Sequence, residues 1–228
     1  MLYYKRIVNR RDNPMKKPIL TALGLACGIS QAHAATLPDP ALDAALKPGA
    51  AQTLVVAGGC FWGVQAVFQH VKGVQKAVSG YAGGDAEHAK YDIVSMGRSG
   101  HAESVEVTYD PALVTTGQIL KVFFAVAHDP TELNRQGPDT GTQYRSAVFF
   151  TSPEQEKIVK AYIAQIDAAK AFPDPVVTQV SPLEKFYPAE DYHQDYATRN
   201  PDNPYIVIND APKVAHLKKQ LPDLYVEK

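Results

Sequence analysis

Ten consecutive residues, Leu54-Val55-Val56-Ala57-Gly58-Gly59-Cys60-Phe61-Trp62-Gly63, constrain most of what this chain can become. The apolar run before Gly58 is too short for a helix and reads as a buried strand, while Phe61, Val64, Phe68 and Val71 recur at the three-and-four spacing of a helix face. A strand that passes through two glycines into a helix places Cys60 in the first helical turn. There the unpaired backbone N–H groups and the positive end of the helix dipole favour the thiolate. The glycines let the backbone turn sharply and leave room for something to approach the sulfur. The competing reading is a structural cysteine packed as a small hydrophobe; the turn chemistry and the helix start weigh against it.

The sequence holds two cysteines, Cys27 and Cys60, so the fate of the amino terminus matters. Met15-Lys16-Lys17, an apolar stretch from Pro18 to Ile29, and Ala32-His33-Ala34-Ala35 have the charged start, short apolar middle and small-residue site of a secretory signal. Cleavage is expected after Ala34, with export to the periplasm. The polar stretch from Met1 to Pro14 reads as an upstream extension, with Met15 the true start. The apolar run is shorter than the ~20 residues of a spanning helix. An uncleaved anchor, or a lipid on Cys27, ranks below simple export. Processing would leave one thiol in an exported chain, which suits a reactive nucleophile better than a staple.

At 45% hydrophobic and 21% charged residues, the remainder can build one sizeable core. A formal net charge of −1 gives no electrostatic reason for nucleic acid or an anionic membrane as partner. One cysteine and scattered histidines lack the spacing of a zinc site, so neither metal nor bound cofactor is expected. A monomer is expected.

The chain divides into an extension and signal (1–34), a proline- and alanine-rich linker (35–52) with one short helix from Asp39 to Leu46, a main domain (53–204) and a tail (205–228). After the Cys60 helix, Lys72-Gly73 offers a left-handed cap. Strands are expected from Val74 to Tyr81, around Val105, Val107 and Tyr109, from Ala147 to Phe150 and from Val176 to Val180. Thr115 or Thr116 can cap a helix carrying Ile119, Leu120, Phe123, Phe124 and Val126. Ser152-Pro153-Glu154-Gln155 supplies an N-cap, a proline at the first helical position and a capping-box glutamine for a second helix. The segment from Phe186 to Tyr196 reads as loop or helix; the tail from Pro201 reads as mostly extended, with a basic helix from Lys213 to Gln220. Strand, helix, strand, strand, helix, strand is the order of a ferredoxin-like split β-α-β plait, an α+β fold of two layers, with elements added at the carboxyl end.

Three polar clusters could meet the cysteine: Tyr91 with Gly100-His101-Ala102-Glu103, the long loop from His128 to Arg145, and Glu190 to Tyr196. A thiolate beside a carboxylic acid and phenols suits attack on an atom whose oxygen must leave protonated. For Glu103 to donate that proton near neutral pH, burial must raise its pKa. On spacing alone each residue has a structural reading that stands beside the chemical one. Glu103 could be a solvated strand residue, Tyr91 a core ring, and His101 and His193 satisfied loop histidines.

Gly58-Gly59-Cys60-Phe61-Trp62-Gly63 resembles the signature of the A-type peptide methionine sulfoxide reductases. So do Gly80-Tyr81-Ala82-Gly83-Gly84, Gly100-His101-Ala102-Glu103, Gly141-Thr142-Gln143-Tyr144-Arg145-Ser146, and Phe186-Tyr187 through Glu190 to His193-Gln194. The resemblance implies reduction of the S-epimer of methionine sulfoxide, free or in oxidised proteins, to methionine. It implies Cys60 as the nucleophile that becomes a sulfenic acid, Glu103 as the acid, and Tyr91 and Tyr144 as donors to the oxygen. Asp139 would order the loop bearing Tyr144, and Phe61 and Trp62 would form the pocket for the methyl group. The reductant would be an external thiol, thioredoxin-like, glutaredoxin-like or small. The chain departs from the family's common pattern at Gln65, usually glutamate, at Ser95, often cysteine, and in a tail without resolving cysteines. Two other readings compete: a non-catalytic exported module binding oxidised or methionine-rich peptides, and a thiol peroxidase. Binding alone needs neither Cys60 nor Glu103, and Trp62 with the tyrosine set disfavours the peroxidase.

Overall fold

The computed structural model describes residues 37–228. The expected signal, its cleavage site and Cys27 lie outside the described residues. In chain order the elements are β1 (Gln52–Ala57), α1 (Phe61–Gln69), β2 (Val74–Ala82), α2 (Tyr91–Val94), β3 (Ala102–Tyr109) and α3 (Thr116–Val122), the last continued by a π turn, Phe123–Ala127. A small hairpin of β4 (Arg135–Gln136) and β5 (Asp139–Thr140) precedes β6 (Ala147–Phe150) and α4 (Pro153–Ala168). Then come β7 (Gln179–Pro182), β8 (Phe186–Pro188), α5 (Tyr196–Arg199), a second π turn (Ile206–Asp210) and α6 (Ala211–Gln220).

The architecture is α+β: a mixed six-stranded sheet in the order β7-β6-β1-β3-β2-β8, flanked by helices. Neighbouring strands run antiparallel except for the parallel pair β6 and β7. Alternation decides which face each strand buries. Leu54 and Val56 of β1, with Val105, Val107 and Tyr109 of β3, face the main core beneath Phe61, Val64 and Phe68 of α1 and Ile119 and Leu120 of α3. Val55, Ala57, Ala82, Ala102 and Phe149 form a thinner second layer, against which Leu183 and Phe186 pack. In the register of β1 on β3, Val56 lies opposite Val105. Glu103, two residues further along the same face, is thereby brought beside the turn that leads to Cys60.

The helix caps largely follow the sequence. Thr115 caps α3 with a complete capping box to Gln118. Ser152 caps α4, accepting the N–H of Gln155 at 3.2 Å. The Gln155 side chain does not complete the box; its Nε2 donates to the Thr53 carbonyl at 2.9 Å and its Oε1 accepts from the Thr151 N–H at 2.8 Å. α1 ends at Gln69, before the expected stop, and Gly73, at φ 85°, makes the turn into β2.

Four expectations are corrected. Phe186–Pro188, expected as loop or helix, is strand β8, paired to the edge of β2, and the strand expected from Val176 to Val180 is β7, Gln179–Pro182, set by its parallel pairing with β6. No helix spans Asp39 to Leu46. That segment is a strap: Asp43 accepts the Gly117 N–H at 2.8 Å, and the Tyr162 hydroxyl donates to the Pro38 carbonyl at 2.9 Å. These long-range bonds draw the prolines and short polar residues away from a helix of their own. The stretch from Pro201 to Asp210 is turn and helix rather than extended, because its apolar run from Tyr205 to Ile208 winds into the second π turn as that turn packs onto α1, while the helix expected from Lys213 to Gln220 is present within α6. Val71 bridges Tyr225, so the tail is bound to the body of the fold. Among the described residues, no helix is long and apolar enough to cross a membrane.

Candidate active site

Cys60 is the N-cap of α1 and is 8% exposed. Its turn depends on both preceding glycines. A Cβ on Gly58 would lie 2.8 Å from the His128 ring, and one on Gly59, at φ 91°, would lie 2.5 Å from the Gln136 side chain. The long loop between α3 and β6 is thus pressed against the cysteine turn, and only bare backbone leaves it room.

The sulfur opens on a cavity of about 180 Å3 lined by Cys60, Phe61, Trp62, Tyr91, Glu103, Asp139, Tyr144 and Tyr205. Every site residue expected from the sequence lines this one cavity, and Tyr205 joins them. A wider groove of about 740 Å3 beside Arg145 has no comparable chemistry. Its guanidinium is engaged by the Gln179 side chain and the carbonyls of Thr142 and Gly100.

Glu103 is fully buried and accepts the Phe61 N–H on Oε2 at 3.1 Å. Burial pushes its pKa up to about 8, the Phe61 N–H pulls the other way, and the Asp139 and Asp210 carboxylates add to the rise. The carboxyl therefore holds its proton at neutral pH. Cys60 needs a correction. The Trp62 N–H favours the thiolate as the helix start predicts, but burial first, then the charges of Glu103 and Asp210, push the thiol well above its ordinary range. Desolvation outweighs the helix terminus here because the sulfur is shut away from water.

The phenols keep their protons as well. Burial pushes Tyr91 up to about 12 and raises Tyr144 further. Tyr91 is positioned by Glu190, which accepts the Tyr91 N–H at 3.0 Å and the Tyr81 hydroxyl at 2.7 Å. The Trp62 indole N–H donates to His193 Nδ1 at 3.1 Å, and its ring stacks on Tyr196 at 3.8 Å. His193 is kept neutral by burial. Asp139 accepts from the hydroxyl of Tyr205, the residue that leads into the second π turn. His101 lies outside the site, accepting the Gly84 N–H on Nδ1 and donating from Nε2 to the Asp85 carbonyl. Nothing in the sequence marks Tyr205, because it opens the apolar, β-branched run Tyr205 to Ile208 and no motif singles it out. Among the described residues, no cluster of His, Cys, Asp and Glu is arranged to hold a metal ion.

The family model described as peptide methionine sulfoxide reductase matches residues 52–224. Peptide methionine sulfoxide reductase MsrA 2 of Mesorhizobium japonicum is 59% identical over 187 residues, 82% of this chain and 95% of that one. Its namesake in Synechocystis sp. is 47% identical over 82% of this chain and 89% of the relative. Among solved structures, methionine sulfoxide reductase A of Corynebacterium diphtheriae is 38% identical with a TM-score of 0.58, over 69% of this chain and 78% of its own. The reduced form of Mxr1 from Saccharomyces cerevisiae is 30% identical with a TM-score of 0.61, over 72% and 92% respectively.

Proposed function

Because the chain belongs to the peptide methionine sulfoxide reductase family, we infer that the Cys60 cavity is where it converts methionine sulfoxide to methionine. The protein is an enzyme of oxidative-stress repair that works through a cysteine and draws its electrons from a thiol. The observation that carries the assignment of roles is a buried Glu103 that holds its proton up to about pH 8 beside Cys60.

In this reading Cys60, a thiol at rest, attacks the sulfoxide sulfur as its proton is lost, and that proton replaces the one Glu103 gives to the oxygen. Glu103 protonates the oxygen, and the Tyr91 and Tyr144 hydroxyls donate to it as it moves. Two electrons pass from the cysteine sulfur to the methionine sulfur, and the oxygen passes the other way, leaving a sulfenic acid. A substrate without the oxygen would leave buried donors unpaired, at about 1–3 kcal/mol each, which separates sulfoxide from methionine. Phe61 and Trp62 receive the methyl group. Asp139, tied to Tyr205, holds the part of the cavity wall that the loop bearing Tyr144 supplies. Preference for the S-epimer is what the resemblance to the family implies. Export to the periplasm belongs to the same reading, supported by the residues from Met15 to Ala35.

The finer reading of the fold is a ferredoxin-like plait. It is supported by the central order β6-β1-β3-β2, antiparallel throughout, with β7 and β8 added at the edges.

An assay on separated sulfoxide epimers, with dithiothreitol as reductant, tests the proposal. Turnover of the S-epimer alone is expected; equal turnover of both, or of the R-epimer, would overturn the pocket assignment.

A further inference from the structure

Asp210 and Lys213 were marked by no motif, yet they sit on the helix that Cys60 begins. Asp210 closes the second π turn and is 1% exposed; Lys213 lies one turn on, in α6. The Lys213 ammonium donates to Asp210 Oδ1 at 3.1 Å, while Oδ2 is buried without a partner. Both groups rest where a side chain at position 63 would be. A Cβ on Gly63 would come within 2.0 Å of Asp210 Oδ1 and 2.9 Å of Lys213 Nζ. Gly63 lies in the first turn of α1, three residues after the Cys60 N-cap. The absence of a side chain there brings the ion pair, its carboxylate buried and its ammonium partly exposed, onto the first turn of the helix that Cys60 caps.

We propose that Lys213, held by Asp210 against the bare backbone of Gly63, is the counter-charge of the Cys60 sulfur. The proposal rests on the nucleophilic role of Cys60 stated above. The cavity at the sulfur is lined by Glu103 from β3, Tyr91 from α2, Asp139 and Tyr144 from the long loop, and Tyr205 just before the π turn, and the charges of Asp210 in that turn and Lys213 in α6 also act on it. His193 lies beyond Phe61, and His128 lies behind Gly58. Burial, Glu103 and Asp210 oppose the thiolate; Lys213 is the side-chain cation that favours it, acting with the Trp62 N–H. Burial and the Lys213 charge together lower His128 to about 4, so that imidazole is neutral.

A cation at this place serves two steps. In attack it stabilises the thiolate that gives up its electron pair. In recycling, an external thiolate attacks the Cys60 sulfenic sulfur, the S–O bond breaks, and the oxygen leaves as water after protonation. A second thiol then attacks the outer sulfur of the mixed disulfide, and Cys60 departs as a thiolate beside Lys213. Asp210 is the positioning residue for the ammonium.

The test is the pH dependence of Cys60 alkylation by iodoacetamide, read on the Cys60 peptide by mass spectrometry, in the full chain without sulfoxide. Because no sulfoxide is present, the result stands apart from whether the enzyme reduces it. Lys213→Gln is expected to raise the alkylation midpoint by about one unit, roughly a tenfold lower rate near neutral pH. Lys213→Arg, which keeps the charge, is expected to restore it. If Lys213→Gln loses its cooperative unfolding transition, Lys213→Met takes its place. An unchanged midpoint in the neutral variant, or an arginine variant as impaired as the neutral one, would overturn the proposal.

Discussion

Glu103 sits where water does not reach it, accepting one backbone N–H from Phe61 and facing the carboxylates of Asp139 and Asp210. The pH consequence has a definite sign. An unfolded glutamate releases its proton near 4.5, whereas the folded one keeps it to about 8. Between those values the folded state binds the extra proton, so stability falls as pH rises through the window and stays lowered above it. Glu103→Gln is expected to escape that loss, so that its unfolding free energy gains on the wild type from pH 5 to pH 8.5, by about a few kcal/mol at the upper end, seen as a rising unfolding temperature relative to the wild type. Its single-turnover rate is expected to drop by about 10²–10⁴-fold, and the alkaline decline of kcat/KM above about pH 8 is expected to vanish. A variant with wild-type single-turnover rates would place the acid elsewhere. Cys60→Ser is expected to retain the wild-type circular dichroism and lose all turnover, since the hydroxyl fills the same space but is a far weaker nucleophile. The sequence disclosed these residues because their neighbours form compact motifs. It could not disclose Tyr205, Asp210 or Lys213, whose place depends on how the second π turn folds back onto α1. Nor could it show that burial outweighs the helix terminus at the sulfur.

At the scale of elements, the site is held by contacts that cross the sheet edge. β8 pairs with β2 through Gly80 and Pro188, and it leads to Glu190, which grips Tyr91. Gly80 makes the pairing possible: a Cβ there would lie 2.3 Å from the Phe186 ring and 2.4 Å from the Tyr187 carbonyl. Gly80→Ala is therefore expected to cost about 1–3 kcal/mol and to push β8 off the sheet. Tyr91 should then lose its anchor, and the variant should show a lower kcat together with a lower unfolding temperature. Normal kinetics in a destabilised variant would mean that Tyr91 does not depend on β8. The expected strand, helix and cap positions were legible wherever apolar spacing and capping residues agreed, as in α3 and α4. β8 was not, since three residues rich in aromatics and proline carry no alternation; the pairing comes from the bare edge of β2. Asp39 to Leu46 misled for the opposite reason, a locally helical composition drawn into an extended strap by Gly117 and Tyr162.

For the molecule as a whole, the sequence from residue 61 onward contains no cysteine, so within the described region Cys60 has no thiol to form a disulfide with. Mixed with excess methionine sulfoxide and no reductant, the processed enzyme is expected to release one methionine per chain and to stop with a sulfenic acid that a dimedone-type reagent traps at Cys60. Several turnovers, or an internal crosslink to a retained Cys27, would contradict the single-thiol cycle. Mass analysis of protein from its native host is expected to find Ala35 as the first residue; an intact Met1 or Met15 terminus on cytoplasmic protein would contradict export. The α+β class was readable from the alternation of strand and helix signals along the chain. The added edge strands and the docked tail were not, since they answer to surfaces that exist only once the core has formed. One further property follows from Trp62, the single tryptophan of the chain, which lines the cavity with its indole N–H on His193 and its face on Tyr196. The protein's emission spectrum is thus dominated by one fluorophore in the wall that meets the reacting sulfur, and entry of a polar sulfoxide or oxidation of the thiol should register as a change in light.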